Sequence, residues 1–410
     1  MHLVQLDTYI RHKEQLLRLQ RNDIAALQLT KLNAVLLKEK TQGRFYTGLP
    51  AKLSCLEELQ QLPFTTSDQL AEHGAEMLLL SQAEIKRVIT DKTSGTTGLV
   101  KRVFYTAGDC QNTVEFFAAG LAEMVFPGSR TLITMPFSGP YGLGDLIARA
   151  IESLGAEPVR AGNGLSLGQY LNLIKDGQPD SFVGLPSQLL ALTRFGGGSS
   201  IKRALLSGDT CPEQVESSLQ EAGLSLFPHY GSREMGLGGA VTCPAHAGMH
   251  VRENHLILEI IDEHGAVVPN GTFGEVVVTT IGMEAMPLIR YRTGDRGRLV
   301  PGRCPCGSEL VRLDRVSRRG CQMAELDNRL FRLPGLIDYS LRVTGNCVEV
   351  EALLLDKETR TLLQDKLSKI FKPKHISLHA NICQGENHLL YPGKRIVLKG
   401  PPEQEWPKVT

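Results

Sequence analysis

Charge of one sign is the first thing this sequence lacks. Lys and Arg number 45, Asp and Glu 44, and the formal net charge over 410 residues is +1. A nucleic-acid or membrane-surface protein needs a basic excess on at least one unit, so that class loses its electrostatic footing. Long apolar runs are missing too, for none approaches the ~20 residues of a membrane helix. The opening, Met1-His2-Leu3-Val4-Gln5-Leu6-Asp7, has neither the basic start nor the greasy middle of a secretory signal. The expectation is a cytoplasmic protein whose 9 cysteines are thiols or metal ligands, not disulfides. There is no internal repeat, no low-complexity tract, no Gly-Lys-Ser/Thr and no clear Ser-His-Asp or Cys-His array.

What is present is an ordinary core former, with 42% hydrophobic and 22% charged residues. Glycine is abundant, at 41 residues, and many fall in loops after apolar runs. The length suggests two or three units. Residues 1–90 read as polar and helical, with Leu16, Leu17, Leu19, Ile24, Leu27 and Leu29 on one face. From about 90 to 240, strands and helices alternate. Thr131–Phe137 reads as a buried strand, Asp145–Leu154 as a helix and Ala156–Arg160 as the next strand, one βαβ unit. Two further strand–loop–helix runs start at Ser181 and Ala204. Residues 250–315 lose the helices. Runs at His255–Ile261, Glu275–Thr280 and Leu288–Tyr291 predict a small barrel or antiparallel sheet. After about 316, strands at Val348–Leu355, His375–Ile382 and Ile396–Leu398 flank a helix at Lys357–Phe371.

Three motifs carry chemistry. In Thr93-Ser94-Gly95-Thr96-Thr97-Gly98-Leu99-Val100-Lys101, two glycines free the backbone, hydroxyls add donors and a lysine follows. Such a loop wraps polyphosphate with N–H groups. In Tyr230-Gly231-Ser232-Arg233-Glu234-Met235-Gly236, an aromatic face can stack on adenine and Glu234 can hold Mg²⁺. In Tyr291-Arg292-Thr293-Gly294-Asp295, a carboxylate on a glycine turn can accept both ribose hydroxyls. Taken singly, the second reads equally as an ordinary turn, and the third is no stronger.

In this order and spacing the three motifs resemble the adenylate-forming superfamily of acyl-CoA synthetases, and its phenylacetate–CoA ligase branch most closely. The branch is also similar at Glu253-Asn254-His255, at Glu284-Ala285-Met286-Pro287-Leu288-Ile289-Arg290 and at Cys304-Pro305-Cys306-Gly307. The resemblance implies an α/β fold. A large multi-sheet N-terminal domain, 1–316, would have αβαβα layers plus a small β-barrel. Its helical part would be 1–90 and its β-rich, metal-containing part 241–316. A small mobile α+β C-terminal domain, 317–410, would act as a lid. The implied activity is an ATP-dependent acid–thiol ligase that forms an acyl-adenylate and then an acyl-CoA thioester, with an aryl acid as substrate. Its co-substrates are ATP with Mg²⁺ and coenzyme A, and a homodimer is usual among the relatives.

The resemblance also distributes roles. Thr93, Ser94, Gly95, Thr96, Thr97, Gly98 and Lys101 would guide the phosphates. Gly208 and Asp209 would line the adenine pocket with His229, Tyr230, Gly231, Ser232 and Arg233. Asp295 would hold the ribose, Arg318 would lie at the hinge and Glu234 would bind magnesium. Lys394, after Gly393, would approach the α-phosphate; a solvated basic hairpin reads the same way, and Lys399 is the reserve. The acid pocket is expected near Pro140-Tyr141-Gly142, Pro186 and Gly236-Leu237-Gly238-Gly239. The attacking carboxylate is already ionised at neutral pH, so the barrier is anion repulsion and positioning, not proton removal.

Two departures matter. Position 233 usually carries Ser or Thr on the α-phosphate, and here it is Arg233. The hinge reads Ser317-Arg318-Arg319-Gly320 without the expected acidic pair. They leave two rivals standing: adenylation with a non-CoA acceptor, and a nucleotide-binding relative without turnover. Separately, Cys243, His250, Cys304 and Cys306 are expected to form a closed structural zinc site, as some relatives place one; His246 is the alternative fourth ligand. The other six cysteines, Cys55, Cys110, Cys211, Cys321, Cys347 and Cys383, are scattered and read as small packing residues.

Overall fold

The computed structural model describes residues 4–92, 100–317, 321–372, 374–383 and 397–398. The phosphate-loop residues 93–98 and the expected contributions of Arg318, Lys394 and Lys399 lie outside them. Among the described residues no helix is long and apolar enough to cross a membrane. The chain forms two compact units.

The first unit joins Met1–Pro127, Phe137–Ala156 and Phe227–Arg318. Its N-terminal part is helical, as the periodicity predicts, but the expected apolar face is broken. Helices span Gln5–Lys13 and Arg21–Gln42, and the chain turns between them. Gln15 takes a left-handed φ of 53°. Gln20 and Asp23 then form a capping box that starts a fresh helix. Leu17 falls in that turn and is 92% exposed. Next comes an antiparallel hairpin, Arg87–Lys92 with Val100–Tyr105, which the sequence reading missed. Alternation along its second strand puts Lys101, Val103 and Tyr105 on one face.

The predicted antiparallel region is present. The strand order is Leu256–Ile261, Gly274–Thr280, Tyr291–Val300, Arg312–Ser317, Met249–Val251, Ala240–Thr242 and Ser225–Tyr230, antiparallel at each step. The run Leu288–Ile289–Arg290 precedes its strand instead of opening it. Arg290 has φ 48° and buries its side chain, forking onto Glu259 at 3.0 Å through both Nε and Nη2. Its Nη1 donates to the carbonyls of Gln60 and Leu62 at 2.7 Å. A buried charge needs such complete satisfaction, and this one fixes how the 288–292 segment enters the sheet.

The second unit joins Gly128–Pro136, Glu157–Leu226 and Arg319–Thr410. Its parallel sheet has the order Glu157–Arg160, Arg130–Ile133, Ser181–Gly184 and Arg203–Leu206. The interior strands are short and apolar because both faces are covered. Pro186 begins the helix Pro186–Arg194 at a position where its missing N–H costs nothing. Pro212 is the N-cap of the helix Glu213–Glu221. A second sheet orders His375–Ile382, Cys347–Leu354, Leu336–Thr344 and Val397–Leu398. One core, from Leu132 and Phe182 through Leu189 to Leu336, Val350 and Leu363, serves both sheets. Gly208 follows the strand Arg203–Leu206 at φ 89°, with Asp209 next to it.

Candidate active site

The first unit brings its share of the expected residues together through backbone register. The segment 230–234 leaves the strand Ser225–Tyr230, and the segment 291–295 opens the strand Tyr291–Val300. The two are tied twice, four residues apart on each. Tyr230 Oη donates to Asp295 Oδ2 at 2.8 Å. Tyr291 Oη donates to Glu234 Oε1 at 3.3 Å. The turn that presents Asp295 is braced from within: Asp295 N donates to Thr293 Oγ1 at 3.0 Å, and that hydroxyl donates to the Val276 carbonyl at 2.7 Å. Gly294, at φ 74°, supplies the left-handed residue the turn requires.

The strand Val100–Tyr105 delivers the third participant. Lys101 Nζ lies 2.8 Å from Glu234 Oε1 and 3.4 Å from Tyr291 Oη. Burial works to raise the Glu234 pKa, but the charge and hydrogen bond of Lys101 outweigh it, and the carboxyl is held below its ordinary value. Tyr291 is the reverse case: burial and then the Glu234 charge push its hydroxyl far up, so it is a donor and not a base. Two residues along the same strand face, Tyr105 Oη donates to the Arg233 carbonyl. The backbone at position 233 is therefore fixed, whatever its side chain meets.

His229 is buried against the rings of Phe116 and Phe117, at centroid distances of 5.9 and 5.2 Å. Burial lowers its pKa to about 3, so it is a neutral wall. The following loop is short of space. Thr113 Oγ1 donates to the Gly236 carbonyl at 2.9 Å, and a methyl group on Gly238 would collide with the Phe116 ring. Leu237 accepts a left-handed φ of 65° there, as Tyr141 does (63°) in the other loop expected to meet the acid. The motifs assign no role to Tyr105, Thr113, Phe116 or the Tyr291 hydroxyl. The period-2 alternation from Lys101 was the available signal for Tyr105.

The sulfur cluster forms separately. Cys243, His250, Cys304 and Cys306 present one ligand atom each, all within 4.8 Å of one another. Cys243 Sγ and Cys304 Sγ are 3.9 Å apart, and Cys306 Sγ is 3.4 Å from His250 Nε2. His246 is exposed and outside the cluster. Three soft thiols with one imidazole suit tetrahedral zinc.

A family model described as AMP-binding enzyme matches residues 92–285. The chain is 30% identical over 359 residues to the phenylacetate–coenzyme A ligase of Pseudomonas putida, covering 79% of this chain and 80% of that one. It is 30% identical over 330 residues to the enzyme of the same name from Thermus thermophilus, covering 75% and 73%. Among solved structures, a 2-hydroxyisobutyryl-CoA ligase in its postadenylation state superposes with a TM-score of 0.76 at 17% identity, covering 94% of this chain and 91% of that one. At that identity the likeness speaks for the fold.

Proposed function

Because this chain belongs to the family of AMP-binding enzymes that includes the phenylacetate–coenzyme A ligases, we propose that it joins a carboxylic acid to coenzyme A through an acyl-adenylate, with ATP as the second substrate. The observation that supports this reading best is the double tie between 230–234 and 291–295, with Lys101 joined to it. Adenylation sets one anion upon another, so a site for it needs cations and oriented donors and no strong base. In this reading Asp295 accepts the ribose hydroxyls while Tyr230 holds the carboxylate in place; a carboxylate has acceptor sites enough for both. His229 walls the adenine. Lys101 turns to the phosphates and Glu234 to the magnesium that accompanies them. The loop 93–98 would cradle the β- and γ-phosphates. Lys394 would approach the α-phosphate. The leaving group is pyrophosphate, and the coenzyme A thiol then displaces AMP from the acyl carbon.

The donors Cys243, His250, Cys304 and Cys306 fit a structural zinc ion in number and softness. Bound there, zinc would staple the turn before Met249–Val251 to the turn before Arg312–Ser317 and leave no open position for catalysis.

The test is pyrophosphate release over a panel of aryl and short-chain acids, followed by AMP release with and without coenzyme A. Acid-dependent pyrophosphate and coenzyme A-dependent AMP are expected. Nucleotide binding without acid-dependent pyrophosphate would overturn the reading.

A further inference from the structure

Arg252 heads the fully buried side chains by size and is 1% exposed. Its Nη2 donates to the Asn112 carbonyl at 2.7 Å and to Tyr9 Oη at 3.2 Å. Among the described residues its Nε and Nη1 meet no acceptor, and no carboxylate pairs with it. Arg290 shows what this unit does with a buried guanidinium kept for structure: two bonds to Glu259 and two to carbonyls. Arg252 instead leaves two of its three nitrogens unmet, and it is not alone. On the same tight turn, Asn254 Oδ1 and His255 Nε2 are also buried without a partner among the described residues. Buried polar groups of this kind are costly unless something meets them.

The acids near this turn are each taken by another cation, and Glu253, on the turn itself, pairs with Arg21. His255 is kept neutral by burial first and then by Arg252, Lys31 and Lys13. Lys13 is matched by Glu115 and Lys31 by Glu14, which leaves Arg252 as the unmatched cation. The turn also sits directly behind the loop that follows Glu234. Arg252 N donates to the Gly239 carbonyl at 2.8 Å. Its guanidinium lies 5.2 Å from the centre of the Phe116 ring, the ring that fills the space above Gly238. His255 Nε2 is the atom a methyl group on Gly236 would meet first.

We propose that this turn is the far end of the acid site and that Arg252 receives a second carboxylate, so that the preferred acid is a dicarboxylic acid. The inference rests on the ligase reading for the position of the reacting carboxylate, next to Glu234. Phe116, packed over Gly238 and against the guanidinium, then stands between the two ends, and Arg252 supplies the buried charge that a monocarboxylic acid would leave unmatched. An arginine is the residue for a planar carboxylate because its fork can donate two parallel bonds. Were Arg252 only packing, an apolar side chain of similar volume would serve better.

The experiment compares matched probes: phenylacetate with its para-carboxyl derivative, and butyrate with glutarate. Calorimetric binding to the full chain and pyrophosphate release are both read, on the wild type and on Arg252→Met and Arg252→Lys. The diacid of each pair should bind more tightly and give the higher kcat/KM. Arg252→Met should cut the diacid-to-monoacid ratio on the order of 100-fold, the scale of one lost buried charge contact, and Arg252→Lys should retain part of it. Without ligand, Arg252→Met should melt at a higher temperature, because an unmatched buried charge is gone. Equal ratios in wild type and Arg252→Met, by both readouts, would overturn the proposal. Diacid binding that depends on Arg252 with no pyrophosphate from any acid would uphold the anion site and overturn the ligase reading.

Discussion

Lys101 Nζ stands 2.8 Å from Glu234 Oε1, so the cation of the phosphate-binding motif and the carboxylate expected to hold magnesium are each other's partner. A magnesium nucleotide would bring a phosphate for one and a metal for the other. In the proposed reaction the pair would be a placeholder that keeps two buried groups satisfied until substrate replaces them.

Breaking that pair from the lysine side has two consequences. Lys101→Met should lower adenylation about 10²–10³-fold, the effect of one lost charge stabiliser. It should also move the Glu234 titration. With Lys101 present the folded pKa lies below the ordinary 4.5, so the pair's contribution is full above that value and is lost only as pH falls through the lower folded pKa. Without Lys101 burial dominates and the carboxyl protonates at a higher pH than in wild type. Pyrophosphate exchange and the acid limb of thermal stability measure the two effects.

Tyr291 tests whether the placeholder needs its hydroxyl. The hydroxyl touches both Lys101 and Glu234. Tyr291→Phe should reduce kcat for adenylation about 10-fold, as one hydrogen bond to a charged group suggests. The acid KM should change much less, because no part of this hydroxyl's contact set reaches the 236–239 loop. Equal loss in both parameters would mean a general loosening of the site.

The sulfur cluster makes a separate prediction. Protein purified without chelator should carry about one zinc per chain. Cys304→Ser should lose the metal and lower the melting temperature, with ATP binding retained. Less than half an equivalent of zinc in the wild type would reject the site. His246→Ala should leave the metal content unchanged, since His246 stands outside the cluster.

The elements that the sequence made legible are those with one dominant periodicity or one fixed motif. The strand His375–Ile382 alternates and lies at the expected residues. The helix Lys357–Ile370 is fixed by an Asp356 side chain that accepts from Thr359 N. Tyr230, Glu234 and Asp295 were legible because their motifs are. The break at Leu17 was not, because a left-handed Gln15 and a capping box at Gln20 are local backbone choices that an apolar pattern does not encode. The cross-ties were not legible either. Pairing Tyr230 with Asp295 and Glu234 with Tyr291 depends on how two sheet strands emerge, 65 and 57 residues apart in the chain. Arg252 was hidden for the opposite reason: a charged residue in a polar-looking turn reads as solvated, and only the fold buries it.

The buried pair Arg290–Glu259 and the surface pair Arg130–Glu157 give a stability contrast within one chain. Glu259→Ala leaves a guanidinium with 3% side-chain exposure unmatched and should cost about 3–5 kcal/mol. Glu157→Ala breaks a pair exposed at 38% and 61% and should leave the unfolding free energy nearly unchanged. Denaturant unfolding measures both. Similar costs would show that the 288–292 segment does not depend on the Arg290 fork.

Glu39 gives the fold a pH dependence that rests on one unpaired carboxyl. It is fully buried on the helix Arg21–Gln42, and neither carboxylate oxygen has a partner among the described residues. Burial pushes its pKa up to about 7 from 4.5. The folded value therefore exceeds the unfolded one, and between them the native state binds more protons. Stability should be highest below pH 4.5 as far as this group is concerned, fall as pH rises toward 7, and level off above it, a total of about 3 kcal/mol. This runs against the Glu234 contribution, which grows with pH over a lower range. Glu39→Gln removes the titration and keeps the shape. Its unfolding free energy should exceed that of wild type at pH 8, and the slope between pH 4.5 and 7 should flatten. A Glu39→Gln protein with the wild-type slope would show that the carboxyl is solvated in the folded chain.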